Sequence, residues 1–463
     1  MKVATKATPL IKELQSIVGK DAVIYEPDEL LAFEYDGSID RHMPDLVVFP
    51  SSTEQVSRVM AVAYREKMPV VPRGAGTGLS GGSVPVKGGM VVVVTRMKRV
   101  LQIDPVNRTA LVDPGVTNIA VDLAANKHGL RFAPDPASQK SCTVGGNIAE
   151  NAGGPHCLAY GVTTNHTLGM EVVLEDGTVT WLSDFPGYDL RGVFVGSEGT
   201  FGIVTKILFK LLPMPEAVNT MLAIYPKLEQ ACQAVAAIIA RGIVPTTLEL
   251  MDSMMIKAVE TARQLGYPAD AGAILLVELE GLKEEVAEVS GPVQQILKET
   301  GAREVQFAQE AQDRERLWVG RKGALGALGA LAPNYMLVDG TVPRSRLPRT
   351  VERVQEIARK FDLPVATLAH AGDGNLHPCI LFDERVPGIL KKVAALAGEI
   401  LTACVEEGGT LSGEHGIGVE KNPYMPQIFS DRDMGVMKSV RRAFSPNELF
   451  NPGNVFPEGA AAV

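Results

Sequence analysis

The sequence predicts an α+β protein built in more than one part, and three features carry that expectation. Short β-rich runs broken by glycine-dense turns fill residues 45–212. Past the turn-like Pro213-Met214-Pro215, longer helical periodicities alternate with widely spaced strands, the pattern of an antiparallel sheet with helices on one face. A turn-rich stretch at 445–454 then carries Phe450, followed by Val455, apolar residues that need a surface to dock on. A chain of 463 residues exceeds one simple core, and 46 Gly and 30 Pro indicate many tight turns.

Taken in order, Leu10, Ile11, Leu14, Ile17 and Val18 recur at helical spacing and Gly19 stops the helix. Strands are expected at 46–49, 69–72, 90–95, 109–112, 169–174 and 203–208, with Ser52 capping a helix over 52–66. In the second part, 228–240 and 283–300 read as helices, and 221–224 and 273–279 as strands. The small-residue run 323–331 fits tight helix packing. The expected division is a first domain over 1–215, a second over 216–425, and a segment 426–463 that returns to the first.

Composition removes several classes of function. The net charge of -9 comes from 45 basic and 54 acidic residues with no long like-charge run, so a nucleic-acid partner is not expected. Cys142, Cys157, Cys232, Cys379 and Cys404 are scattered and never spaced C-x-x-C, which gives no disulfide framework, zinc ribbon or iron-sulfur ligand set. No apolar run is long enough to span a bilayer, and the N-terminus lacks a signal-peptide core. The expectation is a cytoplasmic protein, at most peripherally attached to a membrane.

Three loops look shaped to meet a phosphate-bearing ligand. Arg73-Gly74-Ala75-Gly76-Thr77-Gly78-Leu79-Ser80-Gly81-Gly82 contains a formal G-x-G-x-x-G, but Gly82 and Pro85 interrupt the helix that a nicotinamide fingerprint requires. The stretch 137–154 surrounds two glycine pairs with small and hydroxyl residues, and 195–203 repeats that chemistry. Successive backbone N–H groups without bulky side chains form nests for a pyrophosphate.

The C-terminal third gathers three of the seven histidines beside a carboxylate, in His370-Ala-Gly-Asp-Gly-Asn-Leu-His377 and Gly413-Glu414-His415-Gly416. Residues 364–370 and 377–382 read as a hairpin turning at Asp373-Gly374; direct pairing of His370 with His377 would point both imidazoles the same way. With Glu414 as third ligand, two histidines and a carboxylate would hold a divalent ion with open positions, the arrangement of a catalytic site. Adjacent residues of an extended segment face opposite sides, so Glu414 can ligate the ion while His415 faces the substrate as a base.

These motifs, in this order, resemble the FAD-linked 2-hydroxy-acid oxidoreductases of the vanillyl-alcohol-oxidase/PCMH superfamily, over essentially the whole chain. The resemblance implies a PCMH-type FAD domain of two α+β subdomains, an antiparallel-sheet cap with flanking helices, and a C-terminal segment packed back on the FAD domain. It implies FAD contacts from Pro72, Arg73, Gly74, Ala75, Gly76, Thr77, Gly78, Ser80 and Gly81 in the first loop. Pro136, Ser138, Thr143, Gly145, Gly146, Asn147, Asn151, Gly153 and Gly154 would serve from the second. Glu198, Gly199, Gly202 and Ile203 would follow from the third, and Asn451 from the tail. The first loop has no histidine to tether the flavin, so non-covalent binding is expected; Asn454 stands where relatives commonly have lysine. His156 and Cys157 are read either as flavin-edge residues or as buried structural ones.

By the same resemblance, His370, His377 and Glu414 bind zinc or manganese, His415 is the catalytic base, and Arg321 grips the substrate carboxylate. The apolar 335–338 run and Cys379, where relatives acting on dicarboxylates carry polar partners, point to a short substrate such as glycolate or D-lactate. The alternatives within this reading are D-2-hydroxyglutarate oxidation, a flavin-binding subunit of a larger electron-transfer complex, and an alkyl-transferring flavoenzyme. Electrons would leave to an external acceptor: an iron-sulfur subunit, quinone, cytochrome or electron-transferring flavoprotein. A homo-oligomer is compatible with all of these.

Overall fold

The computed structural model describes residues 7–183 and 187–457. It divides into two compact units: one from 1–153, 161–214 and 414–463, the other from 154–160 and 215–413.

The first unit holds two larger sheets and a two-stranded one, Leu130–Arg131 with Leu212–Pro213. In the four-stranded one the order is Val23–Ile24, Leu46–Val48, Met90–Val93, Val70–Arg73, with the last three mutually parallel. These strands are covered on both faces, which is why they read as near-continuous valine runs rather than alternations. Val48, Val70 and Val92 meet Val56, Val59 and Met60 of helix Thr53–Glu66 on one side, while Val47, Val71 and Val91 meet Leu30 on the other. Ser52 caps that helix by accepting from Gln55 N at 3.2 Å. The second sheet is antiparallel, in the order Val100–Asp104, Thr109–Val112, Ile203–Lys210, Thr167–Val173, Val179–Ser183. Helices Asn118–Asn126 and Val144–Glu150 bury Val121, Val144 and Ile148 in its core.

The tail belongs to this first unit. Phe450 is fully buried in the core of the four-stranded sheet and bridges to Val70. The return starts at Glu414 rather than at 426, because the backbone just beyond is already tied down there. Ser80 O accepts from Val419 N and Glu420 N, and the Glu198 carboxylate accepts from Ile417 N and Gly418 N.

The second unit is built on an eight-stranded sheet. Its main path runs Glu304–Phe307, Ala217–Tyr225, Ala273–Gly281, Thr247–Asp252, Val365–His370, Asn375–Phe382, Asn334–Leu337, and every pairing is antiparallel. Helices cover both faces, not one. Leu228–Ala240, Lys283–Glu299 and Leu347–Lys360 share a core with Met221, Leu275 and Leu250. Helices Ser253–Arg263 and Ala311–Ala327 pack together and against the sheet strands. Burial at every position of strand Thr247–Asp252 follows from this double cover, and it hides the period-two alternation.

Candidate active site

In the first unit the three glycine loops converge. A Cβ on Gly74 would lie 2.1 Å from Thr143 Oγ1, so loop 74–82 approaches the N-terminus of helix Val144–Glu150, which Thr143 caps through Gly146 N. Gly145 is pressed against Pro114, where a Cβ would come within 2.7 Å. Asn451 Nδ2 donates to Gly82 O and to Glu198 O, both at 2.8 Å, and so ties the first and third loops to the tail. Gly76, Gly81, Gly196 and Gly199 have positive φ, the conformation that turns successive N–H groups inward.

Several of the expected contact residues also hold the loops in place. Arg73 is buried and donates to Tyr35 O and Ser83 O, bracing its loop from behind. The Asn151 side chain accepts from Thr164 N, and a Cβ on Gly202 would strike Val173 O. Pro136 and Ser138 accept backbone bonds in the turn leading to helix Val144–Glu150, and Ile203 opens a strand with its side chain buried. Glu198 spends its carboxylate on Ile417 and Gly418, at 2.8 and 2.6 Å. Burial raises its pKa, although those two bonds oppose the rise. Glu150 is raised well above the ordinary carboxyl range, by burial first and Glu198 second.

The second unit carries a polar row across one face of its sheet. Thr220 pairs with Glu278, Glu278 with Thr247, Glu249 with His370, and Leu368 with His377. His370 pairs with Asn375 rather than with His377, because the turn takes four residues, 371–374. The offset is two residues, so both imidazoles still face the same side, as diagonal neighbours. Their ring centroids are 5.0 Å apart and nearly perpendicular. Glu414 and His415 follow directly after Gly413, whose N–H donates to Asp339, itself fully buried.

Two acids in this row were not singled out from sequence. Glu249 is 1% exposed; its Oε1 lies 2.6 Å from His370 Nδ1, and its Oε2 takes Arg321 Nε and Nη2, both at 2.5 Å. Burial pushes its pKa up, but Arg321 and then His370 overcome this and hold it below the usual value. One edge of the Arg321 guanidinium is thus committed to Glu249. Glu278 accepts from Thr220, Arg314 and Trp318 and lies 3.2 Å from His156 Nε2. His156 also stacks on Trp318 at 5.7 Å, which gives it a packed position in the second unit. The available signal was an acid between two apolar neighbours, Leu-Glu-Leu at 248–250 and Val-Glu-Leu at 277–279.

Comparison with known families decides the assignment. Residues 44–183 match the family described as FAD binding domain, and residues 214–455 match FAD linked oxidases, C-terminal domain. The chain belongs to the FAD-linked oxidases. It is 45% identical over 455 residues to glycolate oxidase subunit GlcD of Escherichia coli K12, covering 97% of this chain and 91% of that protein. It is 32% identical to the D-lactate dehydrogenase of Anaerostipes hadrus, covering 97% and 98%. The structure of p-cresol methylhydroxylase superposes with a TM-score of 0.82 at 19% identity, over 97% of this chain and 96% of that one, so the fold is PCMH-type.

The residues of this FAD-linked oxidase suit both groups. For FAD, the convergent loops leave buried polar atoms without protein partners, among them Ser80 Oγ, Asn147 Nδ2 and both side-chain heteroatoms of Asn454. Such atoms are costly unless a ligand or water meets them. For a metal, His370 and His377 offer two nitrogen donors on one sheet face, and Glu249 accepts from the far nitrogen of His370, chemistry that suits zinc or manganese. Among the described residues, no helix is long and apolar enough to cross a membrane.

Proposed function

We propose that this FAD-linked oxidase converts short D-2-hydroxy acids, glycolate or D-lactate, to their 2-oxo acids. The observation that carries the reading is the shared facing of His370 and His377, with Arg321 tied to the same row through Glu249. The names of the relatives, a glycolate oxidase subunit and a D-lactate dehydrogenase, support the substrate class.

His370, His377 and Glu414 would hold the divalent ion. Arg321 would take the substrate carboxylate with its uncommitted donors, a task suited to a planar guanidinium. His415, neutral at working pH, would remove the proton from the 2-hydroxyl oxygen. When bound, FAD supplies a hydride acceptor for C2 and the ion supplies charge that acidifies the hydroxyl. FAD would be held without a covalent tether, by the N–H groups of the glycine loops. Electrons would pass on to an external acceptor, and a partner subunit fits the subunit naming of the relative. A short substrate is favoured by Leu337, buried opposite Cys379 on the sheet face that carries His377.

The test is anaerobic titration of the yellow protein with glycolate, D-lactate, L-lactate and 2-hydroxyglutarate, before and after chelation. Glycolate or D-lactate should bleach the flavin, and chelation should stop it. Bleaching by 2-hydroxyglutarate alone refutes the substrate assignment. His415→Ala should stay yellow but fail to bleach, with a loss of about 10²–10⁴ in rate; normal bleaching removes His415 from its role. Arg321→Lys should raise the apparent KM for glycolate, and an unchanged KM means the carboxylate is held elsewhere.

A further inference from the structure

We propose that Glu249 is a positioning residue that sets the metal-binding nitrogen of His370 and the orientation of Arg321 with one carboxylate. The proposal rests on the metal reading above and deepens it. Glu249 and His370 are directly paired across neighbouring antiparallel strands, so their side chains are fixed by sheet register rather than by loop conformation. Both are buried, at 1% and 7% exposure.

A carboxylate can only accept hydrogen bonds, so at 2.6 Å from Glu249 Oε1 the Nδ1 of His370 must carry the proton and donate it. In the neutral ring, Nε2 then keeps its lone pair, the form a metal requires. The second oxygen is occupied as well: Arg321 Nε and Nη2 both reach Oε2 from helix Ala311–Ala327. The guanidinium plane is therefore set by the same group that sets the imidazole. A buried carboxylate is costly, and an apolar residue would serve stability as well or better. On the same strand face, two positions along, Met251 fills that apolar role.

Glu249→Gln discriminates. A glutamine amide offers one acceptor and one donor group where the site needs two acceptors. With its oxygen toward Arg321, its NH₂ faces His370 Nδ1, and the ring proton must move to Nε2, where it blocks the ion. With its oxygen toward His370, its NH₂ faces the guanidinium and expels it.

The experiment uses the FAD-loaded, metal-stripped protein and zinc or manganese alone as the probe. Calorimetry should show the dissociation constant of the ion rising by about 10–100-fold in Glu249→Gln, with FAD content close to wild type. An affinity equal to wild type overturns the proposal. Nitrogen NMR of histidine-labelled wild type needs no variant: His370 should be the Nδ1–H tautomer before metal is added, and an Nε2–H signal overturns the proposal even if Glu249→Gln fails to fold. If wild type itself binds neither ion, the metal reading fails. If wild type binds and Glu249→Gln binds equally, only the role of Glu249 fails.

Discussion

Asp252 makes the stability of the second unit depend on pH in a way that one substitution can isolate. It is 3% exposed at the N-cap of helix Ser253–Arg263, where Oδ1 accepts from Met255 N and Oδ2 from Thr367 N, both at 2.8 Å. It therefore pins that helix to the strand carrying His370. Burial outweighs both bonds and raises its pKa from 3.8 to about 6. The folded protein holds this proton more tightly than the unfolded chain does. The associated stabilisation is complete below pH 3.8 and is lost as pH rises through about 6. At 1.36 kcal/mol per pKa unit, the loss is on the order of 3 kcal/mol. Asp252→Asn cannot titrate and confronts one backbone N–H with its own NH₂, a fixed cost of about 1–3 kcal/mol. The stability of wild type minus that of Asp252→Asn should thus fall by roughly 2 kcal/mol between pH 4 and pH 7. Urea unfolding would read it through buried Trp318, with exposed Trp181 replaced by Phe in both proteins. A difference that stays flat across this window refutes the assignment of the titration to Asp252.

The latch on the segment after His415 yields a second prediction. Glu198→Gln keeps one acceptor for two N–H donors, so hydrogen exchange at Ile417 and Gly418 should accelerate by about 10–100-fold, as loss of a charge-assisted bond implies. FAD should remain bound; unchanged exchange contradicts the latch. In the cradle, Gly74→Ala forces a Cβ to within 2.1 Å of Thr143 Oγ1 and should cost about 1–3 kcal/mol, with loss of retained flavin on gel filtration. Adding Thr143→Ala should restore flavin retention in part, since the clash is with that hydroxyl; failure of the rescue means the loops are held apart by something else.

Much of the first unit was legible because its signals are local. A serine before an apolar-periodic run caps helix Thr53–Glu66, and glycines mark the backbone turns that need positive φ. The matching orientation of His370 and His377 was legible too, even though the pairing was misplaced. An even offset along a strand preserves the face, so an error of two residues leaves the chemistry intact. Helices on one face of the second sheet were expected because wide strand spacing does not reveal how many faces are covered. The return at Glu414 was missed because the tie is made by Glu198, 219 residues away from Ile417.

Many element types, the glycine loops and the histidine motif can be read directly along the chain, because hydrophobic period, capping and turn chemistry act over a few residues. The part played by Glu249 and Glu278 emerges only once distant elements are packed together. Glu249 lies 72 residues from Arg321 and 121 from His370 in the chain, and nothing local distinguishes it from any other acid in an apolar strand. Its role arises when sheet register and a covering helix bring an imidazole and a guanidinium to the same buried carboxylate. Contacts of that kind depend on packing between elements distant in sequence, where local propensity carries no information.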